Sequence, residues 1–261
     1  MLRTLSILGV DGSGKTTMLK ELGEKLSESR VVTLRVPQYH ETEGVARPEL
    51  SRALEELGVL ADSRRDPTLK AMSLFLAMPL YSESVASLAR GTGAELVITE
   101  RHPLVDSLAY APFYRKLLKG TFDWSTVPST HLFVKQWARD VMSRWLSPAD
   151  CQPEQLPARL EQLFALENTK LLGALKHIYR CDFPDQAILL SVTQEQLAVR
   201  IAAKGTREIH EEVSTLMALQ SALKAAVAFA VGIGSRMTVH EPGQEQSPFA
   251  PIRQRRTELD F

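Results

Sequence analysis

Residues 9–16 read Gly-Val-Asp-Gly-Ser-Gly-Lys-Thr, the spacing G-x-x-x-x-G-K-[ST] of a phosphate-binding loop. An apolar run, Leu5 to Leu8, leads into it, and Leu19, Leu22 and Leu26 follow on one helical stripe. The motif therefore sits between a strand and a helix, the context it needs to work. A glycine-rich turn that binds nothing is the bland alternative, and the complete motif in that context argues against it. Gly9, Gly12 and Gly14 allow backbone conformations barred to other residues, so successive N–H groups can turn inward toward an anion. A helix beginning near Lys15 adds the positive end of its dipole. The expected nucleoside triphosphate cradle comprises Gly9, Asp11, Gly12, Ser13, Gly14, Lys15, Thr16 and Thr17. In it Lys15 reaches the β- and γ-phosphates, and the Thr16 hydroxyl takes a place on Mg2+.

A chain of 261 residues can bury one large core, with room for an insertion. Its 31 basic and 31 acidic residues balance, so no overall field favours nucleic acid or a membrane as partner. With the motif starting almost at Met1 no leader is expected, and Ala225 to Ile233 is too short to span a bilayer. Cys151 and Cys181 have no metal-like spacing and are read as reduced. A cytoplasmic setting is expected.

Val31 to Pro37 reads as a second strand, stopped by its proline, and a helix is expected at Pro48–Leu57. Thr68 to Arg90 reads as a buried helix kinked near Pro79 and ended by Gly91 and Gly93. Glu95 to Thr99 is an apolar strand that delivers Glu100-Arg101 at its carboxyl end. Helices are expected at Ser107–Leu118, Phe133–Leu146, Leu156–Ile178, Gln194–Ala203 and Glu211–Ala230. Strands are expected at Ala187–Val192 and Met237–Val239. The alternation predicts an α/β fold of three layers, a parallel sheet of about five strands flanked by helices, with ligands at the strands' carboxyl ends. Residues 115–184 read as a helical insertion, and their Trp124, Trp137 and Trp145 as core packing rather than a cover for the site.

With these pieces in place the chain resembles the thymidylate kinase and deoxynucleoside kinase group of phosphate-loop kinases. Gly9 to Thr17 is similar to that group's loop, and Arg35-Val36-Pro37 to its Arg-Glu-Pro. Glu100-Arg101-His102 with Ser107-Leu108-Ala109-Tyr110 resembles its Asp-Arg-(Tyr/His) followed by Ser-x-Ala-Tyr-Gln. Leu197 to Glu208 resembles its lid segment. The likeness covers residues 1–111 and 185–240 and implies a single P-loop kinase domain that transfers the ATP γ-phosphate to a (deoxy)nucleoside monophosphate with Mg2+. It implies catalytic roles for Lys15, Asp11, Arg101, Arg200 and Arg207, with Lys204 on ATP and residues 200–212 as a lid. It also implies an acceptor site of Arg35, Arg101, Ser107 and Tyr110, a metal site of Thr16 and Glu100, and a homodimer.

Three positions depart from the pattern. The glutamate of Arg-Glu-Pro is Val36, the family's Asp-Arg pair on the buried helix is Met78-Pro79, and the glutamine after Ala-Tyr is Ala111. In nucleoside kinases a carboxylate at the position of Val36 takes the proton of the acceptor hydroxyl. A monophosphate is already ionised and needs no such base, so its loss favours a phosphate acceptor unless Asp11, Glu41 or Glu43 stands in. Two alternatives remain: a nucleoside or other small-molecule kinase, and a non-catalytic nucleotide-binding regulatory protein.

Overall fold

The computed structural model describes residues 2–26, 30–118, 120–203 and 212–240. Five strands form one all-parallel sheet: β1 (Arg3–Leu8), β2 (Val31–Arg35), β3 (Leu96–Glu100), β4 (Gln186–Leu189) and β5 (Thr238–His240), in the order β2-β3-β1-β4-β5. Helices cover both faces, giving the three-layer α/β architecture. The chain moves to one side of β1 for β2 and β3, then crosses to the other for β4 and β5. That reversal opens a crevice at the carboxyl ends of the central strands. The phosphate-loop motif follows β1, and Glu100-Arg101 ends its neighbour β3.

Side chains alternate across β1. Leu5 and Ile7 pack with Ile98 and Ile188 against Met18, Leu19 and Leu22 of α1 (Lys15–Lys25). Leu8 faces a much larger core on the opposite side. There α2 (Pro48–Arg64) runs past Gly58, where a break was expected. The glycine is buried where α2 packs on α3 (Pro67–Ala77), and the buried Leu54, Leu57 and Ala61 on either side of it carry the helix through. The expected kinked helix at 68–90 is two helices, α3 and α4 (Leu80–Thr92). Met78 N and Tyr81 N bond three residues back rather than four, so the break falls at Met78-Pro79.

Helix α5 (Pro103–Leu117) begins four residues before the expected Ser107. Pro103 sits at its first position, where the missing N–H costs nothing and the fixed φ suits a helix. The insertion contains α6 (Leu132–Met142), α7 (Leu156–Phe164) and α8 (Asn168–Tyr179). A single helix was expected over the last two. Glu167 leaves helical angles there, and Asn168-Thr169 are weak interior helix formers. Trp124, Trp137, Phe164 and Tyr179 join the same core as Leu8, Leu34 and Val97, so the insertion's aromatics pack inward as expected.

Helices α9 (Gln194–Ala202) and α10 (Val213–Gly232) complete this layer. At 20 residues α10 is much longer than the apolar stretch read from sequence, and by length and composition it and the Pro67–Thr92 segment could cross a membrane. Pro67–Thr92 is broken at Pro79 and largely buried in the core, and α10 buries a Leu216, Leu219, Leu223 and Val227 stripe.

Candidate functional site

The loop after β1 turns sharply because three of its residues take positive φ. Gly9 (φ +153°) could carry no side chain, since a Cβ would stand 2.5 Å from Ser13 Oγ and 3.0 Å from the Leu190 carbonyl. Gly12 (φ +79°) lies against Leu197, whose Cδ1 would stand 3.0 Å from a Cβ. Ser13 N closes the turn on the Val10 carbonyl at 3.1 Å. The Ser13 hydroxyl is buried and has no hydrogen-bond partner among the described residues.

Lys15 is only 4% exposed. Its ammonium donates to the Val10 carbonyl at 2.9 Å and lies 3.5 Å from Asp11 Oδ1. Burial, and then Arg101, push its pKa down, while Asp11, Glu100 and Asp106 oppose them. The loop thus holds a desolvated cation beside an unpartnered hydroxyl and a helix N-terminus, which is an arrangement suited to a polyanion.

Thr16 donates to both oxygens of Glu100, at 3.1 and 3.0 Å. Glu100 is buried, and its Oε2 also lies 3.4 Å from Arg35 Nε. Among the described residues no group of three or more His, Cys, Asp or Glu could hold a metal ion. The Thr16–Glu100 pair instead offers two hard oxygen donors, which fits Mg2+, an ion that keeps waters and phosphate oxygens for its other positions.

Arg101 has φ +72°, an unfavourable angle for a residue with a Cβ. The main chain is held there at both ends: Arg101 N donates to the Ile7 carbonyl at 2.9 Å, and Thr99 Oγ1 donates to the Arg101 carbonyl at 2.9 Å. The guanidinium bridges two carboxylates, Asp11 through Nη2 and Asp106 through Nη1 at 3.2 Å. Burial works to lower its pKa, but Asp11, Tyr110 and Asp106 outweigh it and hold the charge firmly in place. Burial pushes the Asp106 carboxyl up, with Arg101 opposing.

A cavity of ≈ 1220 Å³ joins these groups. One end is the loop from Asp11 to Thr17 with Arg200, whose Nη1 donates to the Gly12 carbonyl at 2.9 Å. The other is walled by Pro67, Lys70, Ala71, Leu74 and Met78 of the α3 face, and by Asp106, Tyr110, Phe113, Tyr114 and Leu117 of α5. Arg35, Pro37 and Gln38 close it at the end of β2. The volume exceeds that of an ordinary single-ligand pocket.

Of the expected site residues, the structure brings Asp11, Gly12, Ser13, Gly14, Lys15, Thr16, Thr17, Arg35, Glu100, Arg101, Tyr110 and Arg200 to this cavity. Gly9 shapes the loop behind it. Ser107 is placed elsewhere: it is buried, bonds the Tyr179 hydroxyl at 2.8 Å, and does not line the cavity. The phase of α5 turns Asp106 toward the cavity with Tyr110 and Tyr114, and turns Ser107 toward Tyr179. Lys204 and Arg207, with most of the expected lid, lie outside the described residues. Asp106, Lys70 and Gln38 were missed. The signal for Asp106 was its spacing, since 106, 110, 113/114 and 117 fall on one face of a helix.

Of the carboxylates weighed as a base, Glu41 holds Arg35 at 2.6 Å and Asp11 is bound to Arg101. Glu43 is exposed and does not line the cavity. No family model matches the chain, and no curated protein matches it.

Proposed function

We propose that this chain is an ATP-dependent phosphotransferase of thymidylate kinase type, acting on a (deoxy)nucleoside monophosphate. The observation that carries the reading is the continuous cavity, with a phosphate-loop cradle at one end and an aromatic-walled slot with Arg35 at the other. A protein that only bound nucleotide would have no need of the second end. Phosphoryl transfer spreads negative charge over the moving group, so catalysis rests on placing cations around it. Lys15 would meet the donor phosphates, Arg101 the region between donor and acceptor, and Arg200 the loop side. Asp11 and Asp106 hold Arg101 in position for that task. Thr16 and Glu100 would hold Mg2+, which neutralises charge on the donor phosphates.

The acceptor base would lie between the α3 face (Leu74, Met78) and Tyr110, which stacks on Tyr114 at 5.8 Å. Arg35 would meet the acceptor phosphate. With Val36 buried and Glu41 on Arg35, the end of β2 carries no carboxylate poised as a base, which favours an acceptor that is already ionised. The second reading is a nucleoside kinase with Asp106 as base, favoured by the raised pKa of its carboxyl in the cavity wall. A cytoplasmic homodimer belongs to the same proposal by resemblance alone.

The test is ADP release measured across nucleosides, nucleoside monophosphates and a no-acceptor control. The proposal expects stimulation by monophosphates, thymidine monophosphate first. Stimulation by nucleosides alone would favour the Asp106 reading, and ATP binding with no acceptor-dependent turnover would sink both.

A further inference from the structure

Glu100 serves two neighbours that belong to different halves of the cavity. Both its oxygens accept from Thr16, on the donor side. Its Oε2 also pairs with Arg35, which lines the acceptor side with Pro37 and Gln38. The pairing is built into the sheet, because Arg35 and Glu100 are register partners where β2 and β3 end. A carboxylate whose charge is drawn to a divalent ion beside Thr16 cannot hold a guanidinium as strongly as before.

We propose that Arg35 couples the two halves: it is tied to Glu100 in the free protein and released toward the acceptor phosphate when a magnesium–nucleotide complex claims that carboxylate. This rests on the proposed function and makes Arg35 a positioning residue under metal control. Glu41, 2.6 Å from Arg35, is a second carboxylate with which the acceptor phosphate competes for the guanidinium whether or not the nucleotide is present. Donor loading then tightens acceptor binding, and by reciprocity the acceptor tightens donor binding to the same degree.

The test is calorimetric binding of thymidine monophosphate, with and without the magnesium complex of the non-hydrolysable analogue AMP-PNP. In the wild type the complex should tighten acceptor binding about fivefold or more. Glu100→Gln should bind the acceptor that tightly with no nucleotide present, and the complex should then add less than about twofold. Glu41→Gln changes an exposed side chain, so it tests the idea even where the buried change disturbs folding. It should tighten nucleotide-free binding while keeping the response to the complex. Glu21→Gln removes a cavity charge that does not touch Arg35 and should change neither. Equal tightening in Glu21→Gln and Glu100→Gln would reduce the effect to a general field and overturn the coupling. A wild type that binds thymidine monophosphate, with Glu100→Gln no tighter, would overturn it and leave the proposed function standing. A wild type that binds no monophosphate would overturn both.

Discussion

The two ends of the cavity are built from different materials. The proposed donor end is main chain: a glycine turn, a helix N-terminus and a few side chains within eight consecutive residues, with Glu100 and Arg101 added from the end of β3. The proposed acceptor end is side chain: one face of α3, one face of α5, and a short segment after β2. A backbone cradle demands particular residue types at fixed spacing, because few conformations turn successive N–H groups inward. A slot between helix faces demands only size and polarity at positions three or four apart, which many sequences satisfy. The first kind of site constrains its sequence tightly, and the second hardly at all.

The largest contrast should come from Lys15→Ala. Loss of the loop cation should lower acceptor-dependent turnover by at least about a thousandfold in steady-state kinetics. The variant should stay folded in a thermal melt, since Asp11 keeps Arg101 as its partner when Lys15 is removed. Turnover near that of the wild type would break the assignment of the donor end.

Next comes a buried histidine that follows Arg101 and does not line the cavity. His102 is fully buried beside Tyr81 (5.0 Å) and Phe183 (6.5 Å), and neither ring nitrogen makes a hydrogen bond of normal geometry, although the Asp182 main chain lies near enough to favour the charged form slightly. Burial pushes its pKa down to about 3. The unfolded chain titrates near the ordinary value, about 6.5, so between these values it binds more protons than the fold and stability falls as pH drops. The wild type should lose about 3 kcal/mol from this group between about pH 7 and pH 4. His102→Phe should lack that part of the acid sensitivity in chemical denaturation. Equal pH slopes in the two proteins would refute the account.

At the acceptor end, Tyr110→Ala should raise the KM for the monophosphate roughly tenfold and leave that for ATP unchanged. A parallel rise in both would show that the two ends are not separable. The smallest effect is expected from Ser107→Ala. It should cost about 1 kcal/mol of stability through the Tyr179 bond, with no change in the acceptor's KM. A raised KM there would return Ser107 to the acceptor site.

What could be read beforehand follows the same division. All five strands were legible: β1, β3 and β4 as buried apolar runs, and the partly exposed edge strands β2 and β5 as short runs rich in Val and Thr. So were the loop, Thr16, Glu100 and Arg101. Helix ends were less so: Gly58 looked like a stop, yet the burial of Leu54, Leu57 and Ala61 around it carries α2 through. The family likeness pointed to Ser107, whereas the phase of α5 brings Asp106 to the cavity and leaves Ser107 on Tyr179. Lys70 was illegible for another reason. Its role depends on which face α3 turns to the cavity, and the helix buries residues on several sides.

The central claim is that the two ends of one cavity work together to move a phosphoryl group. It is tested most directly by following the label from γ-labelled ATP, with magnesium and thymidine monophosphate, in wild type and Lys15→Ala. The account predicts labelled thymidine diphosphate from the wild type and none from the variant. Label that stays on ATP, or appears only as inorganic phosphate whether or not the acceptor is present, would contradict it.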